Sequence, residues 1–261
     1  NHLSTFCKEV KFVTLAGEEK DNLNFIKRSL KKNIKVKFFN KKNSPTIIKK
    51  RFIDKISQSK LLGVYSINEE NLQKNLENRF INCIKKYASS CDLILVSDYG
   101  HGFISNKAAK IFSSSKKFFS LNAQINASNR GYHSLRKYKK IDNLIINENE
   151  LRHEMRDKVG NIEKLSLKLI KDLKVNRLTV TRGKNGAILI EKNGKTVSSP
   201  AFANKVIDKV GAGDAMLVVI SLCMKMKMPS DLVLFLGSLA GATAVENIGN
   251  SKFINKNELL R

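Results

Sequence analysis

Two hydrophobic periods alternate along the chain. Continuous apolar runs at 93–96, 118–121 and 143–146 have the length and flanks of strands buried on both faces. Further strands are predicted at 10–15, 177–181 and 187–191, the last leading into an Asn193-Gly194 hairpin turn. Helical spacing covers 19–31 and 165–173. It also covers 72–87, where Leu72, Leu76, Phe80, Ile84 and Tyr87 share one face. Two more helices are predicted, one at 211–226, opened by glycines, and one at 231–247, rich in small residues. Three short strands at 36–39, 46–52 and 61–65 have no helix between them. They interrupt the βαβ rhythm and predict a small accessory sheet or lid. The whole pattern is α/β with a largely parallel sheet.

Several strands end in polar clusters, and ligands in open α/β sheets bind at the carboxyl ends of strands. That rule gathers Asp98, Asn122, Asn147, Glu150 and Thr181 around one crevice.

Composition narrows the picture. The chain has 261 residues, 42% of them hydrophobic, enough for one large core. It has no apolar run long enough to span a membrane and no signal-peptide pattern. The net charge of +25 invites a nucleic-acid or anionic-membrane reading. Lysines outnumber arginines 38 to 10 and spread along the whole chain, alongside many Asn and Ile. That profile fits A/T-rich coding better than an evolved basic face, so neither nucleic acid nor membrane is an expected partner. The cysteines at 7, 83, 91 and 223 form neither a zinc motif nor a disulfide framework, which fits a reducing cytoplasm. Cys83 and Cys223 are expected in the core, and His133 and His153 at the surface.

The segment most specific to chemistry is Asp208-Lys209-Val210-Gly211-Ala212-Gly213-Asp214. Gly211, Ala212 and Gly213 would present nearly bare N–H groups at a helix N-terminus, a hole for developing phosphoryl charge. Asp214, in the first turn, would take a proton from a substrate hydroxyl. A plain Gly-rich turn followed by a favoured first-turn Asp accounts for the same four residues.

This segment resembles the C-terminal signature of the ribokinase (phosphofructokinase-B) family of carbohydrate kinases. Asn147-Glu148-Asn149-Glu150 resembles the family's N-x-x-E element, and Thr181-Arg182-Gly183-Lys184-Asn185-Gly186 its T-x-G-x-x-G nucleotide loop. Ser97-Asp98-Tyr99-Gly100-His101-Gly102 and Pro45-Thr46-Ile47-Ile48-Lys49-Lys50-Arg51 are similar to segments of one branch, the heptose 7-phosphate kinases of lipopolysaccharide synthesis. The resemblance implies a three-layer α/β/α sandwich over residues 1–261, with 36–65 as what remains of a β lid. It implies ATP and Mg²⁺ as cofactors, with Asp214 as base and Gly211–Gly213 as anion hole. Thr181, Arg182, Gly183, Gly186, Asn147 and Asn247 would contact the nucleotide, and Asn147 and Glu150 would organise Mg²⁺ through water. Asp98, Asn122, Lys49 and Arg51 would face a sugar or sugar phosphate. Some members hold K⁺ near the segment matching Asp208 and Gly249, which makes Asp208 a candidate for a monovalent cation.

The family opens with a substrate-binding strand and a G-G-x-x-x-N turn, neither of which precedes Asn1. The expectation is therefore a domain short of its N-terminal segment, inefficient in phosphoryl transfer as it stands. A homodimer and a fused nucleotidyltransferase domain are partners the family allows. The alternative is a kinase-fold module that binds ligand without turnover. The sequence also departs from the family. Lys209 replaces the usual Thr, and His101 and Asn122 stand where the heptose kinases have Lys and Asp, which puts the sugar in question. Two further readings stay open. Lys49 and Arg51 form either a phosphate clamp or a solvated edge strand. The amide-rich run 122–131 either binds sugar hydroxyls or forms an Asx-turn loop.

Overall fold

In the computed structural model the described residues are 1–56, 60–125, 129, 131–208, 210–247 and 252–259. After a 3-10 turn, β1 (Val10–Ala16), α1 (Lys20–Ser29) and β2 (Ile34–Asn40) form a βαβ unit whose strands pair in parallel. The strand expected at 36–39 therefore belongs to this unit and not to a lid. β3 (Ile48–Ile53) and β4 (Lys60–Ser66) form a separate small antiparallel sheet, and among the described residues neither this pair nor β1–β2 is hydrogen-bonded to another strand. The strand-only reading of the patch missed this, because the α1 connection lies upstream of it.

The chain continues through α2 (Lys74–Ser89), β5 (Leu93–Asp98), α3 (Asn106–Ser114) and β6 (Phe118–Ala123). It then runs through β7 (Asn143–Asn147), α4 (Glu148–Met155), α5 (Ile162–Leu173), β8 (Arg177–Thr181), β9 (Ala187–Glu191) and β10 (Thr196–Ser199). The last helices are α6 (Ala212–Lys225), α7 (Ser230–Val245) and the short α8 (Lys256–Leu259). The main sheet has the order β10-β9-β8-β7-β6-β5, parallel from β5 to β8 and antiparallel at β9 and β10.

Strand periodicity builds the layers. On β7, Leu144 and Ile146 enter one core with residues of α2, α3, α4 and α5, while Ile145 enters the other with α6 and α7. Burial on both faces is why these strands read as continuous apolar runs. The three-layer α/β/α sandwich follows.

Two polar details aim α6. Asn143 Nδ2 donates to Ser120 Oγ at 2.7 Å, and Ser221 Oγ on α6 lies 2.6 Å from the same oxygen. A buried hydrogen-bonded cluster of this kind fixes register where apolar contacts alone would allow sliding. On α7, Gly237 and Gly241 let the backbone approach Ile220 and Met216 of α6 closely. Three helices were not legible in the hydrophobic pattern, the short α8 among them. α3 is short and buries only Ala108, Ala109 and Phe112; Ser105 caps it by accepting from Ala108 N. α4 begins inside the Asn147–Glu150 segment, which reads as a polar strand end.

Candidate active site

The parallel strands set out the site. Their registers pair Ser97 with Asn122, Asn122 with Ile145, and Asn147 with Thr181, all at carboxyl ends. The start of α6 reaches this row. Gly211 is its N-cap with φ +93°, a left-handed conformation that glycine adopts without strain, and a Cβ at Gly213 would meet open space. The first N–H groups of a long helix are thus left unobstructed, with the favourable end of its dipole beside them.

Asp214 sits in that first turn. Tyr99 Oη donates to its two carboxylate oxygens at 3.3 and 3.1 Å, and Ser97 Oγ donates to Oδ1 at 3.3 Å. Burial raises its pKa, opposed by these two donors. Strand parity explains the contacts. Ser97 and Tyr99 are two residues apart and face α6, whereas Asp98 between them faces the other layer.

Asp98 accordingly points away from α6. Its carboxylate, 4% exposed, accepts from Tyr138 Oη at 2.7 Å, Lys137 Nζ at 2.7 Å and Gly100 N at 3.0 Å. Burial works to raise its pKa, but the Lys137 ammonium wins and holds it below the usual aspartate value. These internal partners hold the group in place. His133, expected at the surface, has a side chain only 5% exposed, and its Nε2 lies 3.9 Å from Asp98 Oδ2. It closes over Asp98, and burial lowers its pKa against the pull of that carboxylate. His153 is exposed as expected.

Asn147 and Glu150 form a reciprocal capping box on α4. Asn147 Oδ1 accepts from Glu150 N at 2.8 Å, and Glu150 Oε2 accepts from Asn147 N at 2.8 Å. Glu150 Oε1 accepts from Ile125 N at 3.1 Å, so the same carboxylate ties down the segment after β6. Burial pushes its pKa to about 7 despite these donors. Each oxygen already holds a backbone bond, and among the described residues no cluster of three acidic, His or Cys side chains is disposed to hold a metal. These residues fit a cation bound through water and phosphate oxygens.

Thr181 ends β8 beside Asn147. Gly183 follows with φ +57° and open space where a Cβ would stand, a surface a phosphate chain could approach. Gly186, φ +75°, packs on the Ser199 carbonyl, where any Cβ would collide. Arg182 Nε lies 3.4 Å from Glu148 Oε2, joining this turn to α4. Asp208 Oδ1 accepts from Val210 N at 3.0 Å, and the amides of Ile207 and Asp208 bond the Val245 carbonyl at 2.8 and 3.1 Å. The segment leading to α6 is thereby pinned to the end of α7. Asn247 Nδ2 turns back to the Thr243 carbonyl at 2.8 Å.

On the opposite wall, the hairpin places Lys49 and Tyr65 in register on one face. Lys49 Nζ lies 5.8 Å from the Tyr65 ring centroid and 5.3 Å from that of Tyr99. Arg51 shares this face of β3 and is exposed. Asn122 Nδ2 donates to the Ile145 carbonyl at 2.9 Å, leaving its buried Oδ1 unpartnered among the described residues. His101 Nδ1 lies 3.0 Å from Glu69 Oε1 just after β4, so the hairpin's exit is joined to the Tyr99 loop. Lys209, Gly249 and residues 126–128 and 130 lie outside the described residues. The Tyr99 contact was missed from sequence. Its signal was the two-residue spacing from Ser97 to Tyr99, just past the end of β5, which continues the α6 face of that strand by one position.

The strand carboxyl ends, the glycine-opened start of α6 and the β3–β4 hairpin are thus joined through Tyr99. The profile of the pfkB family carbohydrate kinases matches residues 2–257, and the chain belongs to that family. Among curated relatives it is 26% identical over 258 residues to bifunctional protein HldE of Campylobacter fetus, covering 96% of this chain and 54% of that protein. It is 24% identical over 244 residues to HldE of Koribacter versatilis, covering 92% and 49%. The chain thus spans about half the length of these relatives. Among solved structures it resembles phosphofructokinase-2 of Escherichia coli in complex with potassium, with TM-score 0.77 and 14% identity over 99% of this chain and 82% of that one. Ribokinase of Thermotoga maritima gives TM-score 0.72 and 20% identity over 96% and 80%. These likenesses establish the ribokinase-like fold.

Proposed function

We propose that this chain carries the ATP-dependent phosphorylation of a sugar or sugar-phosphate hydroxyl, with a heptose 7-phosphate-like acceptor as the first substrate to test. The observation that carries the reading is Asp214. It is a buried carboxylate on the first turn of a glycine-opened helix, at the carboxyl end of a parallel sheet.

Bound ATP would supply the phosphoryl group and Mg²⁺ would neutralise its oxygens. The chain's part is positional and electrostatic. Asp214 accepts the proton from the attacking hydroxyl. The N–H groups of Gly211, Ala212 and Gly213 hold the charge that develops on the transferred group. Thr181, Arg182, Gly183, Gly186 and Asn247 line the nucleotide side, while Asn147 and Glu150 orient Mg²⁺-bound water. The open surface at Gly183 supports the nucleotide assignment, and the Asn147–Glu150 box supports an indirect hold on the metal. Lys49, Arg51 and the unpartnered Oδ1 of Asn122 face the acceptor. Asp98 takes no part in this reading. A monovalent cation beside Asp208 remains part of the proposal, as does a cytoplasmic site of action. The relatives' description as bifunctional supports a second, nucleotidyltransferase activity in the parent protein.

The test is a coupled ADP-release assay with ATP and Mg²⁺ over heptose 7-phosphate, free hexoses and hexose phosphates. Slow sugar-dependent ADP release is expected, strongest with the heptose phosphate. Nucleotide binding by calorimetry with no release against any acceptor would sink the kinase reading and leave a ligand-binding module.

A further inference from the structure

Tyr99 has no part in the reaction as proposed, yet its hydroxyl lies nearer to Asp214 than the Ser97 hydroxyl does. Its surroundings fix it from several sides. Asn129 Nδ2 donates to its carbonyl at 2.8 Å. Gly100, with φ +69°, follows it in a turn where a Cβ would strike Asn129 and His133. Lys49 of the hairpin lies over its ring, and the His101 ring is parallel to it, 7° between planes with centroids 6.5 Å apart. With main chain and ring held, the phenol is directed at Asp214.

We infer that Tyr99 is a positioning residue for Asp214: its hydroxyl fixes the orientation of that carboxylate at the mouth of α6 and links it to the β3–β4 hairpin. The inference rests on Asp214 being the base. A single phenol proton shared between two oxygens leaves carboxylate lone pairs for the substrate hydroxyl. The phenol's own pKa is raised by burial and by the Asp214 charge, so it remains a donor over the working pH range. Pre-setting the base in this way is the kind of support that catalytic geometry needs. Lys49 on the same ring lets hairpin contact and base orientation share one side chain.

Tyr99→Phe keeps the ring and deletes only the donor. The first measurement is a ¹³C-carboxyl NMR titration, with the Asp214 signal assigned by its loss in Asp214→Asn. Deleting a donor to a carboxylate should raise the Asp214 midpoint by about one pH unit. Ser97 and the amino group of Asn1, the other groups acting on Asp214, are the same in both proteins. The second measurement is the kinetic split, with kcat falling about tenfold and sugar KM unchanged. A reciprocal titration requires no change at Tyr99. In Asp214→Asn the phenol midpoint should fall, because the neighbouring negative charge is gone. Unmoved midpoints in both titrations overturn the inference alone. Moved midpoints with full turnover in Asp214→Asn retire Asp214 as base, and with it the catalytic sense of the Tyr99 contact.

Discussion

At the residue scale, two buried carboxyls have raised pKa values and different partners. Asp214 is held by two side-chain hydroxyl donors. Glu150 is held by backbone donors and serves as a cap. Asp214→Asn should lower kcat by at least about 10²-fold with little change in ATP affinity, since only the proton acceptor is lost; steady-state kinetics with calorimetry decides it. Glu150 makes a separate prediction. Its folded pKa of about 7 exceeds the ordinary 4.5, so between these values the folded state binds more protons than the unfolded state. Stability therefore falls as pH rises through that window, by on the order of 2–3 kcal/mol from this group. In Glu150→Gln that slope should flatten. Urea melts at pH 5 and pH 8 measure it, and an unchanged slope would assign the pH dependence elsewhere.

At the scale of elements, loops at the crevice are fixed by short polar devices. Asn147→Ala removes the side-chain half of the α4 capping box and should cost about 1 kcal/mol, seen as a lower denaturation midpoint with unchanged m-value. Gly186→Ala should cost more than about 1 kcal/mol, because φ is +75° and the Cβ would collide with the Ser199 carbonyl. Gly183→Ala carries a similar φ but meets open space, so it should be milder and act on nucleotide affinity first. The strands were legible because their runs are buried on both faces. α4 was not, although its N-x-x-E spacing is also a capping-box pattern. The accessory sheet was legible only as a run of strands, since pairing partners are a tertiary matter.

At the scale of the whole molecule, the walls proposed for nucleotide and acceptor come from distant parts of the chain. β3 and β4 supply one wall, and the β8 turn and α6 supply the other. ATP with Mg²⁺ should stabilise the folded state by about 2.7 kcal/mol at one hundred times Kd, a rise in Tm of about 5 °C. A thermal melt checks it, and no shift at saturating ATP would count against nucleotide binding in this crevice. Among the described residues no helix is long and apolar enough to cross a membrane. The sequence alone determined the α/β rhythm, the glycine-opened helix and the residue types at the strand ends. These are consequences of local conformational preference and of burial on two faces, which leave marks in consecutive residues. The tertiary structure alone decided what each polar group faces. Asp98 and Tyr99 are neighbours in sequence, but strand parity sends one to Lys137 and Tyr138 and the other to Asp214, 115 residues away. Which buried partner waits on each side of a strand depends on the packing of the layers, and no local pattern records it.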